Sequence, residues 1–143
     1  MVTCFLIPGK PVGKARPRMN TQTGAAYTPR NTKDYERLVK FSYINAYPAV
    51  SDWLHQGAVA VEITAYFPIP ASWAKYKKRA ALAGGILPVT KPDWDNIGKI
   101  ITDALNGLAY RDDAQVVTAI VSKRYAERAH VVVRLESGGG QDG

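Results

Sequence analysis

Five aspartates, Asp93, Asp95, Asp103, Asp112 and Asp113, crowd into one short stretch of a chain whose formal net charge is +7. A basic molecule suits a polyanionic partner, so a local negative patch in it needs a reason. The usual one is a divalent cation: Mg²⁺ prefers oxygen ligands, keeps several waters and is held by a few carboxylates together with substrate phosphate. Asp93 and Asp95 follow Lys91 and Pro92, and because proline pushes its predecessor out of helical geometry, Asp95 or Asn96 falls at a helix start. Both carboxylates can turn toward one ion at that bend. Asp112 and Asp113 come back after about three helical turns, at the expected start of a strand able to close the same site.

A pair of aspartates one residue apart is weak on its own, since such pairs arise by chance, cap helices and bind calcium. As an EF-hand loop, Asp93, Asp95 and Gly98 match positions 1, 3 and 6, but Ile97 stands at position 5 and Ala104 where a bidentate Glu is required. That reading fails. The run from Gly9 to Ala15 hints at a phosphate loop, yet its glycine spacing is one short and Ala15 replaces the Ser or Thr that would hold Mg²⁺. It fails as well.

The elements that must position these groups follow from periodicity. A strand is predicted over 3–7 and ends at Pro8 and Gly9. Residues 9–30 form a loop too long for an idle connection, and residues 1–33 carry Lys10, Lys14, Arg16, Arg18, Arg30 and Lys33 with no acid. A helix begins near Thr32, capped by Asn31 or Thr32, and runs to about Tyr47 with Tyr35, Leu38, Val39, Tyr43 and Ala46 inward. Residues 58–67 alternate as a strand. Next comes a short basic helix with Lys75, Lys77, Lys78 and Arg79, capped by Ser72 and stopped by Gly84 and Gly85. A third helix over 95–106 buries Ile97, Ile100, Ile101, Ala104 and Leu105, with Leu108 following, and turns Asn96, Lys99, Asp103 and Asn106 outward. Two strands near 114–123 and 129–136 are predicted to form a hairpin. The order β-α-β-α-α-β-β reads as an α+β fold, one compact domain over 1–136 with a mixed sheet of about four strands backed by helices. Residues 137–143 are expected to be a disordered Gly-rich tail.

Composition is that of an ordinary globular protein, 46% hydrophobic and 22% charged. Cys4, the single cysteine, excludes an intrachain disulfide or a cysteine zinc cage and is expected as a buried strand residue. No signal peptide and no membrane-length apolar run is present, so the expected location is the cytoplasm. His55 and His130 are expected at the surface or in turns, and neither is needed as a ligand.

Taken together, D-x-D-N-x-x-K-x-x-x-D-A-L-N-G from Asp93 to Gly107, followed shortly by D-D-x-Q-V from Asp112, resembles the signature of the RusA family of Holliday junction resolvases. Lys14 to Tyr27 and the Thr28-Pro29-Arg30 run also resemble its N-terminal half, so the likeness spans roughly residues 3–136. The resemblance implies a structure-selective endodeoxyribonuclease dependent on Mg²⁺, with Mn²⁺ an acceptable substitute and no small-molecule cofactor. It implies that Asp93, Asp95 and Asp113 bind the metal and that Lys99 is essential. It also implies a homodimer that cuts two opposed strands of a DNA four-way junction in recombination and repair, with no membrane involvement. Asp112 alternates with Asp113 along a strand, so one of the two faces the ion; Asp113 is assigned to it, with Asp112 and Asn96 in support. Lys99 can hold the scissile phosphate or the leaving oxygen, its competing role being an i, i+4 salt bridge. Asp103, able to pair with Lys99, takes a structural role. Lys14, Arg16, Arg18 and Arg30 could clamp phosphates, with Tyr27, and Trp94 beside the metal, stacking on an unpaired base. Two alternatives remain: a junction-binding protein without cleavage, in which the aspartates are caps, and a phosphatase for small esters, which the net charge disfavours.

Overall fold

The computed structural model describes residues 1–48 and 53–138. The first strand, β1, spans Val2–Pro8, and the loop after it folds back as two short strands, β2 (Arg18–Met19) and β3 (Ala26–Tyr27). Helix α1 (Arg30–Ala46) leads to β4 (Val59–Pro68), followed by α2 (Lys75–Leu82) and α3 (Trp94–Ala104). The last strands are β5 (Val116–Ala126) and β6 (His130–Ser137). This is an α+β fold with the expected element order, the β2–β3 ribbon being the addition.

The main sheet has the order β1-β6-β4-β5, antiparallel except for β4 and β5, which run parallel. The predicted hairpin of β5 and β6 is therefore corrected: β4 lies between them. The physical reason is burial. Along β4 the side chains of Val59, Val61, Ile63, Ala65 and Phe67 are all buried, which suits a central position, whereas β5 exposes Val117 and Ile120 at the edge. Residues 127–129 then step over the end of β4, where Pro68 stops it.

Helices α1 and α3 cover one face of the sheet. Tyr35, Val39 and Tyr43 from α1 and Ile97, Ile100, Ile101 and Ala104 from α3 form one cluster with Phe5, Ile7, Val131, Val133 and Leu135. A helix that buries three isoleucines on one stripe is fixed in rotation, so its polar stripe is fixed too. Ala46 at the end of α1 is exposed rather than inward. The N-cap of α1 is Pro29, with no side-chain cap, and Ala74 rather than Ser72 precedes α2. Gly84, at φ +85°, closes α2 as expected.

Strand parity overturns the placement of Cys4. With Thr3, Phe5 and Ile7 inward, Cys4 and Leu6 face outward, and Cys4 is exposed. His55 is likewise corrected, being 1% exposed. One ring nitrogen meets the Thr3 hydroxyl at 2.7 Å and the other meets that of Ser137, so the ring ties β1 to the end of β6. Burial pushes its pKa down to about 4, which keeps the imidazole neutral. His130 lies in β6 and stacks on Tyr66, with ring centroids 4.4 Å apart. Strand β6 runs through Ser137, one residue into the expected tail, and residues 139–143 lie outside the described residues. Among the described residues, no helix is long and apolar enough to cross a membrane.

Candidate active site

Asp93 occupies the N-cap of α3 with extended backbone angles, yet its side chain makes no capping hydrogen bond. An aspartate at this position ordinarily accepts from the first-turn amides. Here its oxygens stay open. Asp95, in the first turn, has no side-chain hydrogen bond or ion pair among the described residues either, and both are exposed. Next to them, Trp94 is 64% exposed. Its ring borders a cavity of about 200 Å³ between α3 and β5 rather than packing into the core.

The basic loop docks on this helix entrance through Gly13. A Cβ on Gly13 would fall 2.8 Å from Pro92 Cβ and 3.1 Å from Asn96 Cβ, so only glycine fits without displacement. The Lys14 amide then donates to the Asn96 carbonyl at 2.9 Å. This contact turns Lys14 inward. Its Nζ lies 3.0 Å from Glu36 on α1 and 3.4 Å from Asp103 on α3. Burial works against the ammonium, but the two carboxylates outweigh it and raise its pKa, so Lys14 stays charged. Gly13→Ala is expected to destabilise the fold by about 1–3 kcal/mol, because the Pro92 ring cannot yield as a flexible side chain can. A lowered urea midpoint checks this; an unchanged midpoint would mean that the loop is not held at this point.

Along the polar face of α3, Asp95, Lys99 and Asp103 stand at successive i, i+4 steps. Lys99 is 63% exposed, and its Nζ lies 3.8 Å from Asp103. Asp103 in turn stands against Asp113. Burial first, and then the neighbouring Asp103 and Asp112 carboxylates, raise the Asp113 pKa, partly offset by Asn106. The Asp113 amide donates to Asn106 Oδ1 at 2.7 Å, which fixes this corner of the chain after the helix. Beneath it, the buried Tyr110 donates its hydroxyl to the Thr102 carbonyl at 2.7 Å. Burial and the nearby aspartates push the Tyr110 hydroxyl far up, and it remains protonated.

Asp112 and Asp113 do not alternate along a strand. They open a 3₁₀ turn, Asp113–Gln115, ahead of β5. Asp112 Oδ2 accepts from the Ala114 amide at 2.9 Å, while Gln115 Oε1 accepts from the amides of Arg111 and Asp112 at 2.9 and 3.1 Å. Asp112 is thus a cap, and Asp113 is the member of the pair turned to α3.

The sequence-predicted residues consequently form two groups. Asp93, Asp95 and Asn96 stand at the N-terminal end of α3, while Asp113 joins Asp103 and Asn106 at the other. At a rise of 1.5 Å per residue, Asp95 and Asp103 are roughly 12 Å apart along the axis. Among the described residues no three His, Cys, Asp or Glu side chains converge to enclose an ion. Lys99 and Lys14 lie between the groups. Arg16, Arg18 and Tyr27 are exposed on the loop and its ribbon, and the exposed Arg30 is 3.9 Å from Asp34. Sequence reasoning missed Glu36, for which no local signal exists. It also assigned Asp103 only to Lys99.

The donor chemistry at the α3 entrance fits a hard divalent cation. Asp93 and Asp95 are adjacent, oxygen-only and free of protein partners among the described residues, and Mg²⁺ needs no more than one or two carboxylates when phosphate and water complete its shell.

Comparison with known proteins gives two results. The family model described as endodeoxyribonuclease RusA matches residues 8–136. A protein of Bacillus subtilis (strain 168), described as uncharacterized protein YqaN, is 36% identical over 135 residues, covering 92% of this chain and 93% of the relative.

Proposed function

Because the chain belongs to the RusA family of endodeoxyribonucleases, Holliday junction resolvases that hydrolyse DNA phosphodiester bonds, we propose that it resolves four-way junctions as a Mg²⁺-dependent homodimer using the α3 face. The observation that carries the metal assignment is the helix-capping aspartate that caps nothing, with a second unpartnered carboxylate beside it. Asp93 and Asp95 would hold the ion. When bound there, it supplies Lewis-acid polarisation of the scissile phosphate and neutralises its charge.

The other side chains then have distinct work. Lys99, long and only loosely paired with Asp103, swings to a non-bridging oxygen or to the leaving oxygen as negative charge develops there. Lys14 is held charged between Glu36 and Asp103 and offsets part of the negative charge that those carboxylates bring to the site. Asp113 supplies the third carboxylate of the site on the far side of Lys99, and Asp112 and Asn96 hold the local backbone. Arg16, Arg18 and Arg30 contact flanking phosphates, Tyr27 offers a stacking surface, and affinity falls with salt accordingly. A homodimer presents two such sites, and their spacing selects the junction by shape.

The test is incubation of the purified chain with a synthetic four-way junction and a matched linear duplex, in Mg²⁺ and in EDTA. Paired nicks in the junction, little cutting of the duplex and complete loss in EDTA are expected. Tight junction binding with no nick under any divalent cation would instead leave a binding protein whose aspartates are structural.

A further inference from the structure

A second surface lies beside the α3 entrance. Where Pro68 ends β4, a pocket of about 320 Å³ opens between the edge of the sheet and the segment leading into α3. Phe67, Trp73 and Tyr125 supply its aromatic walls, Lys10 and Lys91 stand on its rim, and Pro92 connects it directly to Asp93. No lining residue is acidic.

Its detail is more specific than an apolar hollow. The rings of Trp73 and Tyr125 meet edge-on at 5.3 Å, and Lys77 Nζ lies 4.1 Å from the Trp73 ring centroid. Lys123 donates to the Thr90 carbonyl at 2.6 Å and lies 5.0 Å from the Phe67 ring centroid, which fixes its charge beside the pocket. Aromatic surface is therefore surrounded by four ammonium groups. An apolar occupant would leave the rim charges of Lys10 and Lys91 without a partner, and paired duplex offers no free base face. An unpaired nucleotide meets both demands, since its base stacks on the aromatic side chains while its phosphates take the ammonium groups. Volume agrees as well: about 320 Å³ is at the lower end of the ~300–1,000 Å³ typical of small-ligand pockets.

We propose that this pocket receives an unpaired nucleobase of the DNA strand passing the Asp93 end of α3, with Lys10 and Lys91 on the phosphates that flank it. The inference rests on the nuclease reading, and it adds a site that distinguishes opened strands from duplex. Because Pro92 and Asp93 are consecutive, a base seated here sets which phosphate reaches the carboxylates.

The experiment is a fluorescence titration, in EDTA so that no strand is cut, of a single-stranded oligonucleotide, a four-way junction and a linear duplex. Each carries 2-aminopurine, placed next to the crossover in the junction. Wild-type protein is expected to bind the first two in preference to the duplex and to quench the analogue as it stacks. Trp73→Ala is expected to lose most of that quenching and to weaken binding on the order of tenfold, with Trp73→Phe restoring much of both. Lys10→Ala with Lys91→Ala is expected to reduce the slope of log affinity against log salt by about 0.7 for each lost contact. A folded Trp73→Ala protein that binds and quenches like wild type overturns the proposal. If Trp73→Ala does not fold, by circular dichroism, the double lysine variant decides: unchanged affinity and slope overturn it. Junction nicking by wild type in Mg²⁺ separates the two readings, because the pocket can then fail alone, whereas absence of both binding and nicking removes the nuclease reading and the pocket with it.

Discussion

Asp95→Asn is expected to lower the nicking rate on a four-way junction on the order of 10³-fold while leaving junction affinity unchanged or tighter. Asparagine keeps the shape of the side chain and removes its charge, so the fold is spared and the cation loses a ligand that polarises and neutralises the reacting phosphate. In EDTA, removing a negative charge from a surface that meets phosphate cannot weaken the electrostatic part of binding. Asp93→Asn is expected to behave alike. Asp113→Asn should also cost most of the activity, yet it differs in two readouts. Its stability should not fall, because the ionised carboxylate is crowded by Asp103 and Asp112 in the folded state. Its Mg²⁺ midpoint should stay near that of wild type, whereas Asp95→Asn raises it. A urea unfolding midpoint measures the first, and gel assays at a series of Mg²⁺ concentrations measure the second. Full activity in Asp95→Asn would remove the helix entrance from the chemistry, and full activity in Asp113→Asn would return that residue to a purely structural part.

Lys99→Ala carries the next largest expected effect, about 10²- to 10³-fold in the single-turnover rate, with substrate affinity little changed. The reasoning turns on magnitudes. The exposed Lys99–Asp103 pair is separated by 3.8 Å and contributes no more than about 0.2–0.5 kcal/mol to the helix. Its loss leaves the fold intact, so any large drop in rate reports on contact with the phosphate. Lys99→Arg should recover part of the rate but not all, since a planar fork replaces a compact ammonium on a flexible stem. A Lys99→Ala enzyme that cuts at the wild-type rate would leave Lys99 as a salt-bridge partner only.

Much of the scaffold could be read before any coordinates. The isoleucine stripe of α3 and the alternation of β4 each fix which face is buried, and both lie as their periods demand. Strand pairing was not legible in the same way. Neighbouring strands commonly pair, but β4 is the most thoroughly buried strand and takes the centre, a global outcome that no local pattern in β5 or β6 encodes. Cys4 shows the limit of an apolar run: every residue from Cys4 to Ile7 is apolar, and only Phe5 and Ile7, inward with Thr3, set the parity. The ribbon of β2 and β3 is two residues wide and leaves no period to detect.

At the site, the positions that the motif picks out were readable, and their mutual distances were not. Asp112 did carry a signal, since an Asp followed three residues later by Gln115 is the pattern of a capping box. Recognising it would have separated Asp112 from Asp113 on chemical grounds rather than by strand alternation. The approach of Asp103 to Asp113 depends on the turn from Leu105 to Arg111, and the pairing of Lys14 with Glu36 depends on the close fit of Gly13. The first is set by the path of one turn and the second by contact between distant segments, and neither shows in residue spacing.

Strand β1 sits at one edge of the sheet with β6 as its partner there. While the polypeptide is being made, residues 2–8 thus wait for residues 130–137 before they can zip into place. A nascent fragment that stops short of residue 130 would possess every acidic group named above while β1 still lacked its only neighbour in the sheet.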